Sequence, residues 1–274
     1  MRRLIALALV TLFLSGCGAK FAYNNLGLVS PWYVDDYIEL DQRQQEIFDR
    51  RLQELHAWHR NTELVQYREL FAELYDHLQQ DSLEPQILRK TANQLRGHWQ
   101  ALIQQATPAV EELGRTLNEQ QREKLFVALE ERNQKRLERA DTPEEHREES
   151  LERIDKWMGP LTKQQREWVV QFAVENPDLS PQTVAAHRAF QSALADILAD
   201  PNAPGFSVRL QQLLGDALGG SAAGRELNSL REQQLEGRVE LFQRLWGSAS
   251  ENQKRKIRSR LLGYIEDIDD LISD

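Results

Sequence analysis

The chain has 274 residues, of which 41% are apolar and 28% charged, with a formal net charge of −9 and a mean hydropathy of −0.61. This composition is too polar for a protein that crosses a membrane many times. No basic patch is recognisable in so acidic a chain, so we expect no nucleic-acid partner. Long stretches without Gly or Pro, rich in Leu, Glu, Arg, Gln and Ala, predict an all-α protein, built as an extended or curved bundle of long amphipathic helices.

The start of the chain has the pattern of a bacterial lipoprotein signal. Arg2 and Arg3 precede an uncharged apolar run over residues 4–14, which is shorter than the ~20 residues that a membrane-spanning helix needs. The run ends in small residues before the only cysteine, in the order Leu14, Ser15, Gly16 and Cys17. We therefore predict a signal peptide over residues 1–16 and lipid attachment at Cys17. An ordinary signal peptide with an incidental cysteine is the alternative.

Lipidation decides where the protein is expected to be. Cleavage removes Arg2 and Arg3 from the 34 basic residues and none of the 43 acidic ones, so the mature protein is more acidic still. More than one acyl chain is then needed to hold this body stably at a membrane. Gly18, rather than an aspartate, follows the cysteine, which by resemblance to bacterial lipoproteins favours the outer membrane. We expect a periplasm-facing protein whose membrane partner is reached through the lipid.

A five-residue pattern occurs four times along the chain. Its second position is Asp, Asn, Thr or Ser, which are preferred helix N-caps, and its fifth position is Gln, which can reach back in a capping box. Apolar residues follow each Gln by four and eight positions, so each copy predicts the start of an amphipathic helix. The motif positions are Leu40, Asp41 and Gln44; Leu117, Asn118 and Gln121; Leu161, Thr162 and Gln165; and Ser250 with Gln253.

The pattern resembles the Leu-Thr-x-x-Gln motif of the small Spy-like periplasmic chaperones and stress-signalling adaptors, and Leu161–Gln165 matches that motif in full. Those proteins carry two copies and hold unfolded clients in a cradle of long, bent helices. The resemblance implies a non-catalytic binding or chaperone-like protein, with an unfolded or envelope protein as its partner. Capping boxes are common in helical chains, so coincidence is the alternative, and unequal gaps between the copies leave a duplication open.

A second resemblance covers the segments Tyr23–Leu26, with the sequence YNNL, and Trp32–Tyr37, with the sequence WYVDDY. They look like the opening of an uncharacterised family of Gram-negative lipoproteins, a domain of unknown function. We divide the chain into the signal peptide, a lipidated N terminus and aromatic linker over 17–38, and a helical body over 39–274 whose two halves would meet near 159–161. The linker aromatics are predicted to pack on the body, and contact with the membrane interface is the alternative.

Within the body, residues 41–80 predict one bent helix or two, because the apolar phase shifts near Asn61. A new short helix is expected to begin at Thr107-Pro108. The charged run over 130–150 predicts a solvated hairpin tip and not a ligand site. Acidic residues crowd the C-terminal helix end, where they oppose the helix dipole, so we expect that end to fray.

The sequence offers little chemistry. His56, His59 and Glu63 share one helix face and form a weak candidate for a metal site, for which surface histidines that arise by chance are the alternative. Sequence motifs of zinc proteases, serine hydrolases, di-iron bundles and phosphate-binding loops are missing. We therefore predict no catalytic residue, no metal and no cofactor. The expected function is binding, and the alternative is a structural or adaptor lipoprotein that docks to an envelope partner.

Overall fold

The computed structural model describes residues 16–216 and 218–273. Residues 1–15 of the predicted signal peptide, including Leu14 and Ser15, lie outside the described residues, as does the side chain of Cys17, whereas the backbone of Gly16 is described. The described chain is a bundle of helices without a strand, which confirms the predicted all-α fold. Within the same residues, no helix is both long enough and apolar enough to cross a bilayer.

The helices are joined by short connections. In chain order they are α1 Gly16–Asn24, α2 Leu26–Asp35, α3 Gln42–Trp58, the π-helical turn His59–Glu63, α4 Leu64–His77, α5 Pro85–Gly114, α6 Glu119–Glu138, α7 Pro143–Met158, α8 Lys163–Glu175, α9 Ser180–Leu198, α10 Phe206–Gly215, α11 Ala222–Ser248 and α12 Glu251–Ser273. The π-helical turn joins α3 to α4. α12 packs along α4 and α7, α9 packs against α6 and α11, and α5 packs against α3, α10 and α11.

Two clusters of buried apolar side chains form the core. The Trp246 cluster consists of Leu78, Leu83, Met158, Val169, Leu241, Leu245, Trp246, Ile257 and Leu261. The Phe206 cluster consists of Leu117, Ile197, Leu198, Phe206 and Leu210. Each cluster takes residues from both sides of positions 159–161, so a division of the chain there does not separate the two cores.

The phase shift near Asn61 corresponds to the π-helical turn His59–Glu63. A π turn inserts one residue into an α-helix, which rotates the face of the next helix by about 100°. The segment predicted as one bent helix or two is therefore a helical pair, α3 and α4, joined without a break. Glu63 is carried inward by this turn and is only 3% exposed.

The segment predicted as a linker is helical, because α1 and α2 occupy most of it. Tyr23 packs on the body, as expected: its ring meets that of His56 edge-on, and its hydroxyl lies 2.9 Å from Nδ1 of His59. Phe21 and Trp32 do not, since they are 59% and 75% exposed. The aromatic residues of this segment thus divide between packing on the body and facing solvent.

The expected helix start at Thr107-Pro108 is wrong, because α5 continues through Pro108 to Gly114. A proline inside a helix removes one backbone hydrogen bond. Here the buried hydroxyl of Thr107 donates to the carbonyl of Ile103 at 2.7 Å, and the end of α5 is held by packing against α10. Tertiary contacts therefore outweigh the local cost of the proline.

The expected fraying of the C-terminal helix is also not observed, since α12 remains helical to Ser273. Bases from other helices neutralise its acidic end. Nζ of Lys20 lies 2.7 Å from Asp267 and also bonds to Asp270, and these bonds raise the pKa of Lys20. Arg68 pairs with Asp269 at 3.0 Å. The expectation failed because it counted only charges within the helix, whereas these partners lie on α1 and α4.

Candidate functional site

All four copies of the capping pattern form capping boxes in the structure. In each copy, Oε1 of the Gln accepts the backbone N–H of the cap residue, and the cap side chain accepts the backbone N–H of the Gln. The caps are Asp41, Asn118, Thr162 and Ser250. Four helix starts are thereby fixed by the residues that the sequence singled out.

The first two copies meet at what we call the first glutamine junction, formed by Gln44 and Gln121. Each Nε2 donates to Oε1 of the other glutamine, at 3.0 and 2.6 Å. Nε2 of Gln44 also donates to the carbonyl of Thr116 at 3.0 Å, and Nε2 of Gln121 donates to that of Glu39 at 2.7 Å. Both side chains are buried, and every donor of their amides has a partner.

The last two copies repeat this arrangement at the second glutamine junction, formed by Gln165 and Gln253. Their amides donate to each other at 3.3 and 3.0 Å. Nε2 of Gln253 donates to the carbonyl of Pro160 at 3.0 Å, and Nε2 of Gln165 donates to the hydroxyl of Ser248 at 3.1 Å. Because these amides are buried and fully bonded, the junctions join helix starts and present no polar atom to a ligand.

A ligand has room elsewhere, in three adjoining cavities. The first, which we call the apolar groove, has a volume of about 770 Å³ and lies between α5, α6 and α9. It borders the Phe206 cluster, because Leu125, Leu194 and Leu214 of its wall pack against that cluster. The side chains that form its apolar wall are Trp99, Ile103, Leu125, Leu129, Phe190 and Leu194.

The second cavity, which we call the basic cavity, has a volume of about 680 Å³ and lies between α5, α6, α7, α11 and the start of α9. Six arginines line it: Arg96, Arg136, Arg139, Arg153, Arg231 and Arg238. The third cavity, of about 630 Å³, is bordered by Tyr33 and Tyr37, whose hydroxyls contact the guanidinium of Arg132. Arg136 lines all three cavities, so they lie next to one another.

Most of the positive charge in the basic cavity is not neutralised. Arg96 pairs with Glu232 at 2.5 Å, and Arg153 lies 3.7 Å from Glu149. The other four, namely Arg136, Arg139, Arg231 and Arg238, have no carboxylate within ion-pair distance among the described residues. Two acids that line the cavity remain: Asp141 lies 3.8 Å from His146, and Asp178 bonds to the backbone and hydroxyl of Ser180. An excess of guanidinium groups therefore faces the cavity.

The titration behaviour of the lining residues reflects this excess. Partial removal from water lowers the pKa of Arg231 and of Arg238, and the arginines nearby lower it further. The pKa of His187, at the border between groove and basic cavity, is lowered mainly by removal from water and then by Arg136, Arg231 and Arg132. The site thus disfavours further positive charge.

The sequence did not predict this site. The run over 130–150 was expected to be a solvated surface, yet Arg132, Arg136 and Arg139 from this run line the cavities. A signal was available: none of these three arginines has an acidic residue three or four positions away, and the same holds for Arg231 and Arg238. Arginines on one helix face without such partners are free to pair with something outside their helix.

The weak metal candidate does not come together. Glu63 bonds through Oε2 to Nδ1 of His98 at 2.8 Å, and His59 bonds to Tyr23. Burial lowers the pKa of both His56 and His59. In the part of the chain that the structure describes, no group of three or more His, Cys, Asp or Glu side chains could hold a metal ion.

The fold and the cavities define an all-α protein with an apolar groove beside an arginine-lined cavity. The chain belongs to a family of unknown function, DUF6279, whose model matches residues 36–218. This agrees with the expected uncharacterised domain. The match contains three copies of the capping pattern and the helices that form the apolar groove, and it ends before α11. No curated protein and no solved structure matches the chain.

Proposed function

We propose that this protein is an outer-membrane-anchored, periplasm-facing lipoprotein that binds a ligand or client segment in its apolar groove without catalysis. The observation that carries the proposal is the groove itself. Its volume of about 770 Å³ falls within the ~300–1,000 Å³ of typical ligand sites. Its rim exposes apolar side chains, since Trp99 is 56% and Val110 is 38% exposed.

The anchor and the location rest on the sequence. A short apolar run and small residues before Cys17 support cleavage and lipid attachment, and Gly18 supports the outer membrane. Mass spectrometry of the protein purified from membranes tests this part. We expect a diacylated or triacylated N-terminal cysteine, and a Cys17→Ser variant should be released from the membrane. An unmodified Cys17 thiol would refute the proposed membrane anchor and location but would not affect the proposed binding in the groove.

The chaperone-like form of the proposal is supported by the resemblance of Leu161–Gln165 to the Leu-Thr-x-x-Gln motif. The groove limits what such a chaperone would hold. A bounded cavity accepts one short apolar segment, whereas a broad apolar face would hold an extended unfolded chain. We therefore expect weak suppression of aggregation and stronger binding of a compact apolar ligand.

The groove can be tested with the protein that lacks residues 1–17 and with the neutral fluorescent probe N-phenyl-1-naphthylamine. Val110→Glu places a charge on the groove wall and should weaken probe binding by about tenfold or more. Val127→Glu is the matched control, because Val127 is 54% exposed and does not line the groove. The same proteins are then assayed for suppression of aggregation of an unfolded substrate. If the probe does not bind and aggregation is not suppressed at several-fold molar excess, the proposal is wrong.

The adaptor alternative is supported by a separate surface. Phe21, Leu28 and Trp32 on α1 and α2 are more than half exposed and lie close in sequence to the predicted lipid. A docking surface there would leave the groove unused. In-cell crosslinking from position 28 distinguishes the two: a single envelope partner, lost in Trp32→Glu but kept in Val110→Glu, would favour the adaptor.

A further inference from the structure

We infer that the ligand of this site is an anionic amphiphile, with its acyl chain in the apolar groove and its carboxylate or phosphate head in the basic cavity. The inference rests on the proposed function, because it names the ligand of the same groove. Its basis is the complementarity between the two adjacent cavities and the two ends of such a molecule.

The charge of the basic cavity calls for an anion. The protein as a whole carries a net charge of −9, yet four arginines face one cavity without a carboxylate partner among the described residues. Guanidinium groups that crowd together repel one another, and the pKa of Arg231 is lowered first by partial removal from water and then by Arg136 and Arg238. The arrangement is stabilised when an anion enters, since a guanidinium binds carboxylate and phosphate oxygens with two parallel hydrogen bonds.

The N-terminus of a helix adds to the positive electrostatic potential of the basic cavity. The 19-residue helix α9 begins at Ser180, which lines the basic cavity together with Thr183. The positive end of the helix dipole thus lies beside the arginines, and helix N-termini attract anions. Asp178 occupies part of this end through its bonds to Ser180, so the arginines remain the main attraction.

The position of the cavities selects an amphiphile over a free anion. Arg136 and Arg231 line both the basic cavity and the apolar groove, so a bound head and a chain in the groove would be directly joined. His187 and Phe190 continue the wall from the arginines into the groove. A free anion would leave the groove empty, and a neutral lipid would leave the guanidinium groups unpaired.

The test measures displacement of N-phenyl-1-naphthylamine from the protein that lacks residues 1–17 by four ligands with the same chain: dodecanoate, dodecyl phosphate, dodecanol and dodecyltrimethylammonium. We expect the two anions to bind at least about tenfold more tightly than dodecanol, and the cation to bind most weakly. Their advantage should shrink as salt is added. Inorganic phosphate and an acidic peptide are added as further competitors.

Two independent variants locate the head. Arg231→Gln and Arg136→Gln should each weaken dodecanoate binding by about tenfold and lower the affinity of the neutral probe much less, because the probe has no charge for a guanidinium to pair with. Arg244→Gln is the matched control, because Arg244 lies on the same helix as Arg231, is exposed and lines none of the three cavities. Circular dichroism verifies that each variant is folded.

The outcomes separate the inference from the proposed function. If dodecanol binds as tightly as the anions, or if the arginine variants weaken all ligands equally, the anionic head is refuted and the groove stands. If inorganic phosphate or the acidic peptide binds as tightly as the amphiphiles, the acyl chain is refuted. If the neutral probe and every amphiphile fail to bind, the proposed function fails together with the inference.

Discussion

The glutamine junctions and the basic cavity differ in whether their polar groups have partners. At the junctions, four buried amides use all their donors on one another and on nearby backbone and hydroxyl oxygens. In the basic cavity, four arginines reach solvent and have no carboxylate partner among the described residues. One region is closed and complete, and the other is open and lacks a counter-charge.

This difference supports the proposal that the junctions are scaffold and that the basic cavity belongs to the ligand site. A buried polar network stabilises a fold only when every member has a partner, since an unpaired member costs more than the bond contributes. An open site that must bind a ligand has to keep groups unpaired until the ligand arrives. The repeated pattern, although it is the most visible feature of the sequence, therefore belongs to the scaffold.

The largest expected effect comes from breaking a junction. Gln165→Leu leaves an amide donor of Gln253, the hydroxyl of Ser248 and the cap N–H of Thr162 with fewer partners. Because Gln165 is completely buried, the free energy of unfolding should fall by about 3 kcal/mol. Urea denaturation followed by circular dichroism measures it. Gln171→Leu, on the exposed face of the same helix, should change it by less than about 0.5 kcal/mol.

The double variant Gln165→Leu/Gln253→Leu tests the pairing itself. Removing both amides eliminates the unpaired partner that each single variant creates, so the double variant should lose clearly less than the sum of the two single losses. Additive losses would mean that the two glutamines act only as separate caps, and the proposed role of the junction would be wrong.

The next largest effect is expected at Glu63. Its carboxylate is 3% exposed and bonds to His98, whose side chain is also largely buried. Glu63→Leu removes this bond and leaves a buried imidazole nitrogen without a partner, which should cost about 2 kcal/mol. Glu69→Leu on the exposed face of α4 is the control. Equal losses in the two variants would show that the pair contributes nothing beyond its surroundings.

How much the sequence could predict depends on the range of the interactions involved. The caps Asp41, Asn118 and Thr162 act within four residues, so helix starts could be predicted from local pattern alone. Pairing of Gln44 with Gln121 joins residues 77 positions apart, and nothing local indicates it. The segment around Asn61 is intermediate between these two cases. The shift in its apolar phase could be read from the sequence, but the π turn that causes the shift could not.

The basic cavity was missed for a different reason. Net charge and charge runs average over residues that face different directions, so an acidic chain can still gather arginines at one place. Arg136 and Arg231 lie on different helices and meet only because α6 and α11 both pack against α9. The wrong expectation at Pro108 has the same origin, because contacts between helices outweighed a local rule.

A smaller effect is expected from acidification. Burial lowers the folded-state pKa of His56, His59 and His187 below the ordinary value of 6.5. Unfolding then takes up protons below about pH 6.5, so the stability contributed by the neutral imidazoles is present above that pH and is lost as the pH falls toward the folded-state values. Each histidine changes the free energy of unfolding by at most about 1.4 kcal/mol per pH unit.

Denaturation curves of wild type and His187→Gln between about pH 8 and about pH 5.5 measure this contribution. The free energy of unfolding should fall less in the variant than in wild type as the pH falls. The reason is that the variant lacks the imidazole that must stay neutral beside Arg132, Arg136 and Arg231. Parallel curves would contradict the expectation that the arginines and the removal from water together hold this histidine neutral.

The smallest effect on stability is expected in the basic cavity, and it is the sharpest test of the contrast with the junctions. Arg231→Gln removes a charge that has no carboxylate partner among the described residues and that nearby arginines repel, so the free energy of unfolding should stay within about 0.5 kcal/mol of wild type or rise slightly. Dodecanoate at 100 times its wild-type dissociation constant should add about 2.7 kcal/mol to wild type and, with about tenfold weaker binding, about 1.4 kcal/mol to the variant. A loss of stability comparable to that of Gln165→Leu would mean that Arg231 supports the fold, and the division into a closed scaffold and an open site would no longer hold.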